Sequence, residues 1–249
     1  MRPRLVQLIE DYWGILLLLF AWQAWVVVNR FNPIVMPTPV AVLRDLVTYP
    51  GVYLQNVAIT LAIALFGLVA GMLVGTGLAV AAWFSPIASG LLNPLTVLFS
   101  SVPVVALIPV IARLLGYDTS TVLAIVVIIT FFPSFVFASS GLRSPPPGSE
   151  DLFRVLGASK LALLARLAFP SALPNLAIAF KLAAAHAILA AMVAEFLMGT
   201  TGLGYLFSKT KSDFQTEQAF GVSIVATVIS AAAYLGAGWV ERRVRERYS

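Results

Sequence analysis

Between Asp45 and Arg113 the chain carries no charged residue. A helix crosses the hydrocarbon of a bilayer in about 20 apolar residues, so this stretch is too long for one crossing and holds two. Ser85-Pro86 gives a turn signal between residues 83 and 90, which places helices over 57–82 and 91–112. The same alternation of long apolar stretches with short polar islands predicts further spans at 13–28, 120–141, 176–198 and 220–240, six in all. Arg2 and Arg4 precede the first span. A cleaved signal peptide would need a small-residue cleavage site after it, whereas the run ends in Val26-Val27-Val28-Asn29-Arg30, so an uncleaved anchor is predicted.

Lys and Arg positions set the orientation, because basic loops are retained in the cytoplasm. With both termini inside, the inner loops hold Arg2, Arg4, Arg143, Arg154, Lys160, Arg166, Arg242, Arg243, Arg245 and Arg247. The outer loops then hold only Arg30, Arg44, Arg113, Lys209 and Lys211, and Lys181 lies near the inner end of its helix, where it can snorkel. Within the spans, Gly67, Gly71, Gly75 and Ala79 recur every four residues as a ridge that lets a neighbouring helix approach, read as bundle packing rather than a dedicated dimer contact. Prolines 94, 103, 109 and 133 each remove a backbone donor inside the third and fourth spans and favour bends. No internal repeat or inverted symmetry is visible.

Composition agrees with lipid as the solvent: 60% of the 249 residues are hydrophobic and 11% charged, with a mean hydropathy of +0.94. Cysteine is absent and His186 is the single histidine, which removes disulfides, thiolate nucleophiles and most zinc sites. No Gly-Lys pair occurs, so a phosphate-cradling loop of the Gly-Lys-Ser/Thr type is missing and no ATP site of that kind is formed. The net charge of +5 sits in loop islands rather than on one amphipathic face, which argues against nucleic acid.

The most informative segment is the inner loop 142–175. Ser144-Pro145-Pro146-Pro147-Gly148 enforces an extended approach. Ser149 is predicted to cap a short helix with Glu150 and Asp151 in its first turn, and Gly157 to end it in a left-handed conformation. Ser159 then caps a second helix that is predicted to stop at Pro170. Leu152, Phe153, Val155 and Leu156 call for cover by a partner or by the underside of the bundle, since burying each large side chain is worth about 1.5–3 kcal/mol; a helix lying on the lipid interface is the alternative.

This loop resembles the EAA loop of binding-protein-dependent ABC importer permeases. Asp151-Leu152-Phe153, then Gly157, then nine residues to Leu167 and Phe169-Pro170 match that pattern in spacing, with Asp151 for its Glu and Leu152-Phe153 for its two alanines. Pro170-Ser171-Ala172-Leu173-Pro174, Ala194-Glu195-Phe196, Gly202-Leu203-Gly204-Tyr205, Met36-Pro37-Thr38-Pro39, Val102-Pro103 and Ile108-Pro109 look like the nitrate, sulfonate and taurine branch.

The resemblance implies an all-α membrane protein with the six-helix type I ABC importer permease fold, inside a bacterial inner membrane. The chain 1–249 would be one permease domain, with an N-terminal helix and external segment (1–55), a core bundle (56–240) containing the loop, and a basic tail (241–249). It implies a homodimer, two ATPase subunits that hold ATP and Mg, and an extracytoplasmic binding protein, with no cofactor or metal in this chain and no nucleic acid. Asp151, Leu152, Phe153, Leu156, Gly157, Ala158, Ser159, Leu167 and Pro170 would couple to the ATPase. Ser100, Ser101, His186 and Glu195 are candidates for the translocation path.

His186 and Glu195 lie nine residues apart, which at about 100° per residue puts them on opposite helix faces, so they form no shared site. His186 either lines the path or bonds to a neighbouring helix; Glu195 fits best against the backbone of the Gly202-Leu203-Gly204 turn. One histidine and one carboxylate are too few for an intramembrane enzyme. An ion-coupled transporter or channel is the stronger rival. Nitrate, sulfonates, taurine, bicarbonate and vitamin precursors all remain compatible solutes.

Overall fold

The computed structural model describes the backbone of residues 4–101, 104–199 and 201–248, and the side chains within them except at 4–12, 93 and 95–101. Among the described residues every regular element is helical. In chain order they are α1 (Arg4–Val28), α2 (Pro39–Thr48), α3 (Pro50–Phe84), α4 (Pro86–Ser101), α5 (Val104–Leu115), α6 (Thr119–Leu142), α7 (Ser149–Val155), α8 (Lys160–Leu163), a π turn (Leu164–Ala168), α9 (Phe169–Met198), α10 (Gly202–Ser212) and α11 (Thr216–Tyr248).

Among the described residues, four rods are long and apolar enough to cross a membrane: Pro50–Phe84, Thr119–Leu142, Lys160–Met198 and Thr216–Tyr248. Two shorter apolar helices accompany them, Trp13–Val28 within α1 and Val104–Leu115. The third span expected at 91–112 coincides with α4 and α5, which lie on either side of residues 102 and 103, and these two fall outside the described residues. Helix α2 was not expected; Thr38 caps it by accepting from the Ala41 amide, with Pro39 at its first position.

The glycine ridge on α3 meets α6. A Cβ on Gly71 would lie 2.0 Å from Thr130 Oγ1, and one on Gly75 2.4 Å from the Phe131 carbonyl oxygen, so these positions admit only hydrogen. The register is informative: Gly67 faces Val126, Gly71 faces Thr130 and Gly75 faces Ser134, so α3 and α6 run parallel. Asp118 caps α6, accepting from the amides of Ser120 and Thr121. Its carboxyl is held below the usual range, first by the Ser120 hydroxyl and then by the Thr121 amide.

Helix α9 is the hub, and its buried stripe is built of small residues: Ala183, Ala184, Ala187, Ala190, Ala191 and Ala194. That lets α3, α6, α10 and α11 pack on it closely. Lys181 Nζ pairs with Glu241 Oε2 of α11 at 3.0 Å, and Arg245 reaches the other oxygen of Glu241 at 3.2 Å.

Candidate functional site

The inner loop leaves α6 at Leu142 and rejoins the bundle at Ala168, and both ends belong to one buried cluster with Ala79, Ala82, Phe135, Ala138 and Ala172. Gly141 makes the close approach possible, since a Cβ there would sit 2.8 Å from the Ala172 Cα. The loop thus stands on a base clamped to α3, α6 and α9. Arg143 adds a lateral tie, donating to Ser89 Oγ of α4 at 2.9 Å.

From that base the proline run leads to Gly148, which takes the cap position of α7 in the left-handed conformation (φ 79°). Ser149, expected as the cap, is instead the first helical residue; its hydroxyl and amide both donate to the Pro146 carbonyl, closing the turn. Arg154 lies 3.6 Å from Glu150 and 3.8 Å from Asp151 on the exposed surface, pairs worth a few tenths of a kcal/mol each at about this exposure.

Gly157 ends α7 as expected, at φ 72°. The Ala158 amide donates to the Phe153 carbonyl and the Gly157 amide to the Arg154 carbonyl, both at 3.0 Å, which is the double closure of a Schellman motif. Ser159 accepts from the Ala162 amide at 3.2 Å and starts α8.

The second helix does not stop at Pro170. It runs on as one rod from Lys160 to Met198, with Leu167 in the π turn and Pro170 in the first turn of α9. The π turn explains the difference: the Phe169 amide donates back five residues to Leu164, and the widened turn leaves room for a ring that would otherwise crowd the carbonyl four residues earlier. A proline that looked like a terminator is thereby absorbed.

No residue of α7 is buried. Leu152 is 58% exposed, Val155 85% and Leu156 73%, so the underside of the bundle does not cover them. Phe153 and Ala158 are half-buried, while Asp151, Gly157 and Ser159 are exposed. The strip of leucine and valine on this short, doubly closed helix is thus left open by the rest of the chain.

The candidate path residues separate. Glu195 is fully buried: Thr60 Oγ1 donates to its carboxylate at 2.9–3.0 Å, and the Gly204 amide donates to it at 2.9 Å. Thr60 in turn accepts from the Leu203 amide at 2.8 Å. Glycine is required in that turn. A Cβ on Gly202 would lie 2.3 Å from the Glu195 carboxyl, and one on Gly204 2.0 Å from the Met192 carbonyl oxygen. Glu195 therefore locks α3, α9 and α10 together, as the turn assignment anticipated; the contribution of Thr60 was not foreseen.

His186 lies on the opposite, open face of α9, beside a groove shared with α11. Ser100 and Ser101 lie on α4, and their side chains are outside the described residues.

Residues 67–247 match the family described as binding-protein-dependent transport system inner membrane component. A probable ABC transporter permease protein of Haemophilus influenzae is 30% identical, covering 91% of this chain and 92% of its own. The formylaminopyrimidine transport permease protein of Halalkalibacterium halodurans is 28% identical over 82% of each chain. The taurine transport system permease protein of Escherichia coli is 24% identical over 91% of this chain and 85% of its own. Among solved structures, the methionine ABC transporter MetNI in an inward-facing form superimposes with a TM-score of 0.65 at 17% identity, over 78% of this chain and 96% of that one, which establishes the shared fold.

Proposed function

This chain belongs to the family of binding-protein-dependent transport system inner membrane components, and from that premise we propose that its inner loop is the coupling element of an ATP-driven importer. As a member of that family it is an ABC transporter permease of the inner membrane, and ATP is hydrolysed by a separate subunit. The proposal adds the assembly and the wiring. Two copies form the path, each carries one ATPase subunit on its loop, and an extracytoplasmic binding protein delivers a small solute of the sulfonate or pyrimidine kind handled by relatives.

The observation that carries this reading is the exposed Leu152, Val155 and Leu156 strip on a helix closed at both ends. Displacement of α7 passes without a break through Lys160–Met198, a rod of 39 residues and about 58 Å at 1.5 Å per residue. The far end of that rod holds Glu195 and the α10 turn. Asp151 belongs to the first turn, Gly157 to the corner, Ser159 to the restart, and Leu167 and Pro170 to the joint with the bundle.

Six crossings with both termini inside accord with the parallel run of α3 and α6. Two parallel neighbours need a return between them, and α4 and α5 together supply about 40 Å of helix for it. The test is copurification in mild detergent. Leu152→Asp with Leu156→Asp, at exposed positions, is expected to leave the permease in the membrane while the ATPase no longer copurifies. Retention of the ATPase by that variant refutes the coupling role, and solute uptake into vesicles without any ATPase favours an ion-coupled transporter instead.

A further inference from the structure

Two features meet where α11 runs on past Val240 to Tyr248. The first is a groove of about 250 Å³ between α3, α9 and α11, walled by Leu61, Leu65, Phe180, Ile188, Gly236, Val240 and other residues that are all apolar. It exceeds the roughly 150 Å³ of a leucine-lined cavity that stays dry and takes up benzene, so hydrocarbon suits it and water does not. Gly236 keeps the wall low, since a Cβ there would meet nothing within 4 Å.

The second is the continuation of that wall. Gly236, Val240, Arg243 and Arg247 are spaced four, three and four residues apart, so they share one face of the helix. At 1.5 Å per residue, Arg243 stands about 4.5 Å and Arg247 about 10 Å past the end of the groove. Both are exposed, and neither makes an ion pair among the described residues. The charges beside them do not neutralise them. Glu241 lies on the opposite side of α11 and is taken by Lys181 at 3.0 Å and Arg245 at 3.2 Å, while Glu246 flanks the stripe without pairing to it. The Arg243 guanidinium lies 4.6 Å from the centre of the exposed Trp239 ring. An indole under an arginine at the end of an apolar wall sits at the depth of lipid headgroups.

Hydrocarbon space and two unpaired cations in line with it are complementary to a single amphiphilic anion. A soluble anion would leave the groove empty, and a zwitterionic lipid would leave a net charge on the arginines. A second copy packed here about a twofold axis along the membrane normal would bring its own Arg243 and Arg247 to the same level, where like charges repel. We propose that this corner is a binding site for one anionic phospholipid of the inner leaflet, with an acyl chain in the groove and the phosphate on Arg243 and Arg247. The choice of leaflet rests on the orientation proposed above; the binding itself does not, so the two fail separately.

The test counts bound lipid by native mass spectrometry. The full-length permease, purified with its bound subunits in mild detergent and stripped of lipid, is titrated with dioleoyl phosphatidylglycerol, dioleoyl phosphatidylcholine and glycerol 3-phosphate. Phosphatidylglycerol is expected to saturate a tight site, phosphatidylcholine to bind more than about tenfold more weakly, and glycerol 3-phosphate not to displace the lipid. Arg243→Gln and Arg247→Gln should each weaken phosphatidylglycerol about fivefold, whereas Arg242→Gln, which removes the same charge from a neighbouring face, should change it by less than about twofold. Gly236→Leu, which fills the groove and leaves the charge alone, should also weaken it. Equal affinity for the two lipids overturns the proposal, as do equal losses from Arg242→Gln and Arg243→Gln, displacement by glycerol 3-phosphate, or full binding to Gly236→Leu. Should Gly236→Leu fail to assemble, the arginine variants, at exposed positions, decide alone.

Discussion

At the scale of single residues, two positions show how local chemistry was or was not legible. Glu195 and the glycines at 202 and 204 could be joined from sequence because they are near neighbours in the chain. Thr60 could not, since it reaches Glu195 across 135 residues and only the packing of α3 on α9 brings it there. Thr60→Val keeps the shape but strips a buried carboxylate and the Leu203 amide of their partner, at a cost of about 1–3 kcal/mol. That loss is measurable as a lowered unfolding midpoint in mild detergent, with faster hydrogen exchange at the Leu203 amide.

Phe214 makes the opposite case. It holds the left-handed position (φ 57°) that closes α10, with the Gln215 amide donating to Thr210 and its own amide to Lys211. Glycine does the same work at 157 without strain. Because Phe214 is 71% exposed, little packing is lost on removing it. Phe214→Gly is expected to raise stability by about 0.5–1 kcal/mol, the left-handed penalty less the extra freedom of an unfolded glycine, whereas Phe214→Ala should bring no gain.

At the scale of elements, periodicity located the long rods well and the joint at Pro170 poorly. The glycine ridge was legible as a close approach, but its partner was not, because spacing within α3 carries no information about α6. The joint at Pro170 was misread for a related reason: a proline signals the loss of one hydrogen bond, and the compensating π turn depends on how Ala168 and Ala172 seat against α6. Two glycine replacements separate contact from conformation. Gly71→Ala drives a methyl into Thr130 and the α6 backbone and should cost about 1–3 kcal/mol in SDS unfolding assays, whereas Gly77→Ala, with open space around it, should be neutral or slightly favourable. At the loop, a Cβ on Gly157 also meets nothing, so the penalty there is conformational. Gly157→Asn, tolerated in the left-handed region, is expected to keep uptake near the parental rate. Gly157→Val should lower uptake more than tenfold while insertion into the membrane continues; equal rates for the two variants would detach the corner of α7 from coupling.

At the scale of the whole molecule, the basic-loop asymmetry and the helix directions have to agree. The parallel pairing of α3 with α6 requires residues 85–118 to travel from one end of the bundle to the other, although neither α4 nor α5 alone is as long as the four main rods. Absence of cysteine makes this directly measurable, because any label on a single introduced thiol reports that site alone. Ile87 and Tyr117 flank the two short helices, and Val155 marks the coupling loop; all three are exposed. In intact spheroplasts a membrane-impermeant maleimide should modify Tyr117→Cys and spare Ile87→Cys and Val155→Cys, and inside-out vesicles should give the reverse. Ile87 and Tyr117 reacting from the same side would mean that α4 and α5 re-enter rather than cross. Val155 reacting from outside would place the leucine strip of α7 where no nucleotide-hydrolysing partner could reach it.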